Sequence, residues 1–398
     1  MAEEPTNPKG GGETASVPLW RFLLYFLYLG TFGFGGPIAL AGYMQRDLVE
    51  RRRWIAPEDY RVGLALAQLA PGPLAAQLAI YLGYVRGGFW GATLVGVVFI
   101  VPSFIMVVIL GALYVRYGGL WWMQALFYGI GACVIGIIVR AAYKLTRSTI
   151  KMDWLLWIVF VVMAATTAWF EQEVVWLFIL CGLVALFAKA PPAWAVRLIR
   201  RGGTPLLAAA PFLHLTEGLQ GPVSGHTMAN VLWFFIKAGA FVFGSGLAIV
   251  PFLYGGVVQE YGWLNDRQFL DAVAVAMITP GPVVITVGFI GYLVAGLYGA
   301  SMAAFGVFLP VYLFVVVPSP WFKRHMDQPQ LSAFVAGVTA AATGAIAGAA
   351  FVLGRRAIVD LPTAAIALIT LGIVWRWKVP EPLLIAAAGL AGLLLFRG

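Results

Sequence analysis

Gln68-Leu69-Ala70-Pro71-Gly72-Pro73 sits in the middle of a long apolar stretch, and 209 residues later Ile278-Thr279-Pro280-Gly281-Pro282 does the same. The recurrence extends outward in both directions. Upstream, Phe32-Gly33-Phe34-Gly35 matches Phe241-Val242-Phe243-Gly244, and Trp54 matches Trp263, both at the offset of 209. Downstream one residue is lost, and Gly83-Tyr84, Gly88, Gly91-Ala92 and Pro102 match Gly291-Tyr292, Gly296, Gly299-Ala300 and Pro310 at an offset of 208. A register kept with one indel indicates a duplicated structural unit. Paired Gly/Pro interruptions at corresponding positions of two hydrophobic halves are the sequence pattern of a membrane carrier's binding region.

Composition fixes the solvent. The 398-residue chain is 61% hydrophobic and 11% charged, with a mean hydropathy of +0.89. A soluble domain carries about 25% charged residues, so the expectation is an all-α polytopic membrane protein. Cys133 and Cys181 lie in apolar runs and read as small buried hydrophobes rather than a disulfide or a metal site. The net charge of +9 resides mainly in loops, where Lys and Arg set orientation, which disfavours nucleic acid as a partner.

Residues 1–16 read as a disordered tail, 17–188 as the first repeat, 189–228 as a linker and 229–398 as the second repeat. Apolar segments fall near 17–45, 62–85, 87–115, 120–139, 153–170 and 174–188, then near 229–258, 272–295, 297–317, 331–353, 361–375 and 381–396. In the linker, Trp194, Leu198 and Ile199 alternate with Arg197 and Arg200, as an interfacial helix would. The loop 46–61 carries five Lys/Arg, whereas its counterpart 255–271 carries only Arg267 beside Glu260, Asp266 and Asp271. The positive-inside rule puts the first loop in the cytoplasm and the second outside, so the repeats are expected to be inverted. A re-entrant 62–85 also places the basic loop 140–151 inside; Arg355 and Arg356 remain outside, against the rule. Each half then has about five spanning helices plus a re-entrant or broken hairpin. The segment 17–45 reads either as one broken helix or as a second hairpin.

Pro-Gly-Pro should end one half-helix and begin another, exposing free N–H groups and a positive dipole end at mid-membrane depth. Such backbone is tolerated in hydrocarbon only when buried in protein or lining a wet cavity. The candidate substrate-contacting positions are Gly35, Gly36, Pro37, Pro71, Gly72, Pro73 and Gln77 in the first repeat. In the second they are Lys237, Gly244, Ser245, Pro280, Gly281, Pro282 and Thr286. Each has an ordinary structural alternative: glycines permit close packing, prolines kink, and Gln77 or Thr286 can cap helix ends. Lys237 reads equally as an anion partner and as a lysine snorkelling to the interface; its repeat equivalent is Tyr28. Asp153, Glu171, Glu173, Asp271 and Asp360 all fall at the edges of expected spans, which weakens a carboxylate relay. With no His, Asp or metal-ligand cluster in the core, an intramembrane enzyme, a cofactor and a metal site are not expected.

The set Phe32-Gly33-Phe34-Gly35-Gly36-Pro37, the basic loop ending at Trp54 and Gln68–Pro73, repeated in degenerate form, resembles the chromate ion transporter family in its two-domain form. The resemblance covers about residues 17–395. It implies efflux of chromate across the bacterial inner (plasma) membrane, with sulfate as the close analogue, membrane lipid as the surroundings and alternating access as the mechanism. A homodimer is admitted by the sequence but not required by it. Carriers of another anion (sulfate itself or an organic acid), an anion channel and a non-transport membrane scaffold are the alternatives. The second copy has Ser245-Gly246 where the first has Gly36-Pro37, so the two halves of the site are not expected to be identical.

Overall fold

The computed structural model describes residues 17–34, 36–117, 120–150, 152–170, 175–191, 225–241, 249–325, 328–377 and 379–396. The described residues are helical throughout their regular elements, as an apolar chain must be if every backbone group is to be satisfied without water. The first half contains α1 (Leu19–Phe32), α2 (Gly36–Met44), α3 (Pro57–Leu69), α4 (Leu74–Tyr117), α5 (Trp121–Ile150), α6 (Trp154–Phe170) and α7 (Val175–Lys189). The second contains α8 (Gly225–Phe241), α9 (Ile249–Tyr254), α10 (Asp266–Ile278), α11 (Thr286–Val316), α12 (Ser319–His325), α13 (Pro329–Ala357), α14 (Leu361–Arg376) and α15 (Glu381–Leu395). The linker, with its expected interfacial helix, lies almost wholly outside the described residues.

The duplication is written into the backbone. Gly87 and Gly88 adopt φ/ψ of −147/26° and 58/−146°, and their counterparts Ala295 and Gly296 adopt −150/32° and 61/−151°. Arg53 has φ 53° and Gly262, at the same offset as the Trp pair, has φ 58°. A π-helical turn precedes that residue in both halves, over Gln45–Arg51 and Gly255–Glu260.

These interruptions are sharp reversals. Gly83 and Gly91 pack so closely across Gly87-Gly88 that a Cβ on Gly83 would meet the Gly91 carbonyl oxygen at 2.5 Å. Gly291 and Gly299 repeat this at 2.4 Å. The α4 run is therefore two antiparallel arms, 74–86 and 89–117, and only the second is long enough to cross about 30 Å of hydrocarbon. On the other side of Pro71-Gly72-Pro73, α3 runs back along the first arm, with Gly63 against the Tyr81 ring. The 13 residues of α3 reach about 20 Å, so α3 and the arm 74–86 make a re-entrant hairpin with Pro-Gly-Pro at its tip.

Of the two readings of 17–45, the structure takes the second hairpin. The Phe22 and Trp54 rings lie 6.3 Å apart, and the Arg52 guanidinium sits over Tyr25 and Trp54 at 5.4 and 4.6 Å. The chain leaving α1 therefore doubles back through α2, with Gly33 and Phe34 at the turn. In the second half, Phe234 of α8 packs likewise on Phe252 and Trp263 at 5.3 and 5.7 Å.

The long arms of α4 and α11 are repeat equivalents, and they pack against each other in opposite directions. Thr93 meets Tyr312 through their hydroxyls at 2.6 Å, while further along α4 Tyr114 meets Phe289 at 5.5 Å, on the short arm of α11 that Gly291 and Gly299 hold beside the start of the long one. Equivalent helices that run antiparallel place the relating twofold across the helix axes. The outer helices interleave reciprocally: α5 packs on α14 and α15, and α13 packs on α6 and α7.

One carboxylate departs from the reading of the sequence. Asp271 was expected at the edge of a span, yet it is 4% exposed in α10. The reason is that α10 packs against α4, α5 and α13, so Asp271 in its second turn is buried while Arg267 in its first stays exposed.

Candidate functional site

The hairpin tips meet across the repeats. The amide of Gly281 donates to the carbonyl oxygen of Gly33 at 3.1 Å, joining the second repeat's Pro-Gly-Pro tip to the first repeat's Gly33 turn. Ser103, on the long arm of α4, closes the group: its hydroxyl lies 2.7 Å from the Pro280 carbonyl oxygen and 3.2 Å from that of Gly30. It is fully buried. Gly281 is required twice over, since its φ is +90° and a Cβ would stand 2.1 Å from the Ser103 hydroxyl oxygen. The first Pro-Gly-Pro tip packs on the equivalent place in the other long arm, where a Cβ on Gly72 (φ +140°) would lie 3.2 Å from a Val311 methyl. Val311 is the repeat equivalent of Ser103. One cross-repeat contact thus carries a hydroxyl and the other an apolar side chain.

Each tip also opens a helix. After Pro73 the amides of Ala76 and Gln77 return to the Pro73 carbonyl, and among the described residues no backbone acceptor takes those of Leu74 and Ala75. After Pro282 the amide of Ile285 returns to the Pro282 carbonyl, and Val283 and Val284 likewise have no backbone acceptor. Leu74, Ala75 and Val284 are buried. Two pairs of amides without backbone acceptors at helix N-termini, all on buried residues but Val283, are what an oxyanion-binding backbone presents.

The polar side chains beside the tips are partly engaged. Gln77 Nε2 donates to the Pro71 carbonyl at 2.6 Å and so bridges the break; its Oε1 is buried without a partner. The Thr286 hydroxyl donates to the Val283 carbonyl at 2.7 Å, tightening the 3₁₀ turn that starts α11. Pro71 is half-buried, and Gly72, Pro73, Pro280, Gly281 and Pro282 are buried at the two tips. Pro37 is half-buried in the first turn of α2. Gly36 opens α2, whereas Gly35, Gly244 and Ser245 lie outside the described residues. Lys237 is half-buried on α8 and makes no ion pair with a described residue. Its neighbour Gly239 packs on the Val307 backbone, the counterpart of Gly30 on Phe99, so the face of α8 beside it is a helix contact. The sequence reading did not single out Ser103; its place directly after the repeated Pro102 was the available clue.

The family model described as Chromate transporter matches residues 20–186 and 229–393, one match for each half. The chain belongs to the chromate transporter family. It is 57% identical to the "Chromate transport protein" of Cupriavidus metallidurans over 99% of this chain and 98% of that one. The "Probable chromate transport protein" of Synechococcus elongatus is also 57% identical, over 94% of both chains. The "Chromate transport protein" of Pseudomonas aeruginosa is 32% identical over 93% of this chain and 91% of its own. No solved structure matches the chain. Family and helical fold together make this a multi-pass membrane transport protein of the chromate and anion class.

Proposed function

We propose that the protein carries chromate out of the bacterial cytoplasm, across the inner membrane, by alternating access, with sulfate recognised as its structural analogue. The observation that carries this reading is the pair of amide sets without backbone acceptors at Leu74-Ala75 and Val283-Val284, behind the two Pro-Gly-Pro tips. A tetrahedral dianion takes backbone N–H donors at the positive ends of half-helices and needs no carboxylate or metal there. The tips belong to different repeats and lean on the partner repeat's long arm, at Ser103 and at Val311. A rocking of one repeat against the other would therefore break one cross-repeat contact at a time, exposing the anion to alternate faces.

The candidate substrate contacts are the backbone of Gly35, Gly36 and Pro37, of Pro71–Pro73 and of Gly244, Ser245 and Pro280–Pro282, with Gln77 and Thr286 holding the tips in shape. Lys237 belongs to the set as the cation nearest the hydrophobic interior of α8. The basic loops 46–61 and 140–151 share one end of the bundle and assign it to the cytoplasm. The protein is read as a carrier rather than an enzyme, in keeping with a family of transport proteins.

Purified protein in proteoliposomes should accumulate labelled chromate in a saturable way, with sulfate competing. Replacing Pro71-Gly72-Pro73 by alanines should abolish flux while membrane insertion persists. Absence of flux for both anions in the unaltered protein would refute the substrate assignment, and full flux in the alanine variant would reduce the tips to packing elements.

A further inference from the structure

Asp271 has no part in the site above, yet it is the carboxylate the fold encloses beside two polar cavities. One, of about 170 Å³, is lined by Tyr114, Gln124, Asn265, Arg267 and Gln268. The other, of about 650 Å³, is lined by Tyr128, Arg267, Arg355, Arg356, Asp266 and Asp360. Asp271 lines both. Its position in the first repeat is Val62, so it has no symmetry counterpart. Tyr114 of α4 donates to its Oδ2 at 2.6 Å. Arg267, one turn earlier on α10, acts on it electrostatically without forming an ion pair, and its guanidinium donates instead to the Gln124 carbonyl at 3.3 Å.

The other charges facing this space are already committed. Asp266 pairs with Arg356, and Asp360 takes hydrogen bonds from Tyr128 and Thr363. Arg355 lines the larger cavity from α13. The same two arginines, Arg355 and Arg356, were the ones whose outward placement broke the orientation rule. Lining a polar vestibule gives them a reason to be there.

We propose that Asp271 is the proton site of the transport cycle and that the vestibule holds an oxyanion when Asp271 is protonated. The inference rests on the anion-transport reading. Ionised Asp271 offsets the Arg267 charge; a proton that travels with the anion and binds the carboxylate removes that offset and leaves Arg267 and Arg355 to attract the anion. Proton and oxyanion then bind with positive linkage, each raising the affinity for the other by the same factor. A dianion accompanied by one proton still carries net negative charge, so a negative-inside potential continues to drive it outward. Tyr114 and Ser103 lie on the same arm of α4, eleven residues apart in sequence, and hold the second hairpin at its outer and inner ends. The charge of Asp271 is thereby tied to the element that carries the Pro280–Pro282 tip.

The test uses the full chain in liposomes, labelled sulfate outside and a trapped pH-sensitive dye. Sulfate stays a dianion across the range used, so any pH dependence belongs to the protein. The unaltered protein should move protons with sulfate, and its KM should rise several-fold as the medium is made more alkaline. Asp271→Asn should move sulfate without protons, with a KM that is flat in pH and close to the unaltered protein's acidic value. Arg267→Gln, at an exposed position, should show the high KM at every pH. Proton movement at the unaltered ratio in Asp271→Asn, or an unaltered KM profile in Arg267→Gln, would overturn the proposal, and the second decides if the first variant does not fold. Sulfate flux with no proton movement in the unaltered protein would overturn this inference alone. Failure of that protein to move either sulfate or chromate would overturn the transport reading beneath it.

Discussion

The Gly281 amide donates to the Gly33 carbonyl at 3.1 Å, and through that bond the tip of one repeat's hairpin is fastened to the turn of the other's. Both groups exist because the sequence interrupts its own helices. Gly33 follows the last turn of α1, and Gly281 stands between two prolines in a conformation other residues rarely adopt.

Gly281→Ala should therefore damage both stability and transport. The substitution meets an unfavourable φ and a Cβ contact of 2.1 Å with Ser103. A loss of about 1–3 kcal/mol is expected, read as a lowered Tm in detergent, together with loss of chromate flux. Gly42→Ala is the control: nothing lies within 4 Å of its Cβ, and it sits inside α2, where alanine is the better helix former. That variant should retain both properties.

Ser103→Ala removes the hydroxyl that lies between the Gly30 and Pro280 carbonyl oxygens. The loss should be about 1 kcal/mol, the ordinary net worth of a buried hydrogen bond. Because this contact opens and closes in the proposed cycle, turnover should change more than KM, and initial-rate measurements at several chromate concentrations separate the two.

The contact between the long arm of α4 and the short arm of α11, before its reversal at Ala295-Gly296, can be trapped covalently. A Cβ on Gly111 would stand 3.2 Å from the Tyr292 Cβ, near the separation a disulfide bridges. Gly111→Cys combined with Tyr292→Cys should cross-link under mild oxidant, detected as a mobility shift reversed by reductant. A pair that stays unlinked would contradict that contact.

Asp153 and Lys189 join the start of α6 to the end of α7. The Lys189 hydrogen bond, helped by the amides of Leu156 and Leu155, holds the Asp153 carboxyl below the usual carboxylate range. A carboxyl whose folded pKa is depressed contributes stability above its unfolded value of about 3.9, lost as pH falls through the folded one. Asp153→Asn should lower Tm slightly at neutral pH, by less than about 1 kcal/mol for a pair this open to water. The difference from the unaltered protein should begin to shrink at about pH 4 and vanish once the pH is below the depressed folded value.

The duplication and the positions of the breaks were legible in the residues, and an inverted orientation of the halves is what the loop charges imply. Pro71-Gly72-Pro73 and Pro280-Gly281-Pro282 announce themselves, and the charges of 46–61 and 255–271 carry opposite signs of bias. The choice at 17–45 was not legible, because Gly33-Phe34-Gly35 permits either a kink or a reversal. What decides it is the Phe22–Trp54 and Arg52–Tyr25 contacts between residues some thirty apart. The burial of Asp271 was not legible for a related reason: hydropathy along the chain places it near the start of an apolar run without showing which helices pack around it. The roles of Leu74, Ala75, Val283 and Val284 were legible only in part, since sequence places a helix start without showing which amides stay unpartnered. Ser103 was hidden because its counterpart is Val311, and a search for matched positions passes over a mismatch.

The central claim is that an oxyanion sits at the helix starts behind the Pro-Gly-Pro tips. Chromium scatters anomalously, so a diffraction experiment on crystals grown with chromate locates the ion without reference to any assumed chemistry. The account predicts an anomalous peak within hydrogen-bonding reach of the Leu74-Ala75 or Val283-Val284 amides. Chromium found only at sites away from both tips, in a protein that transports chromate, would contradict it.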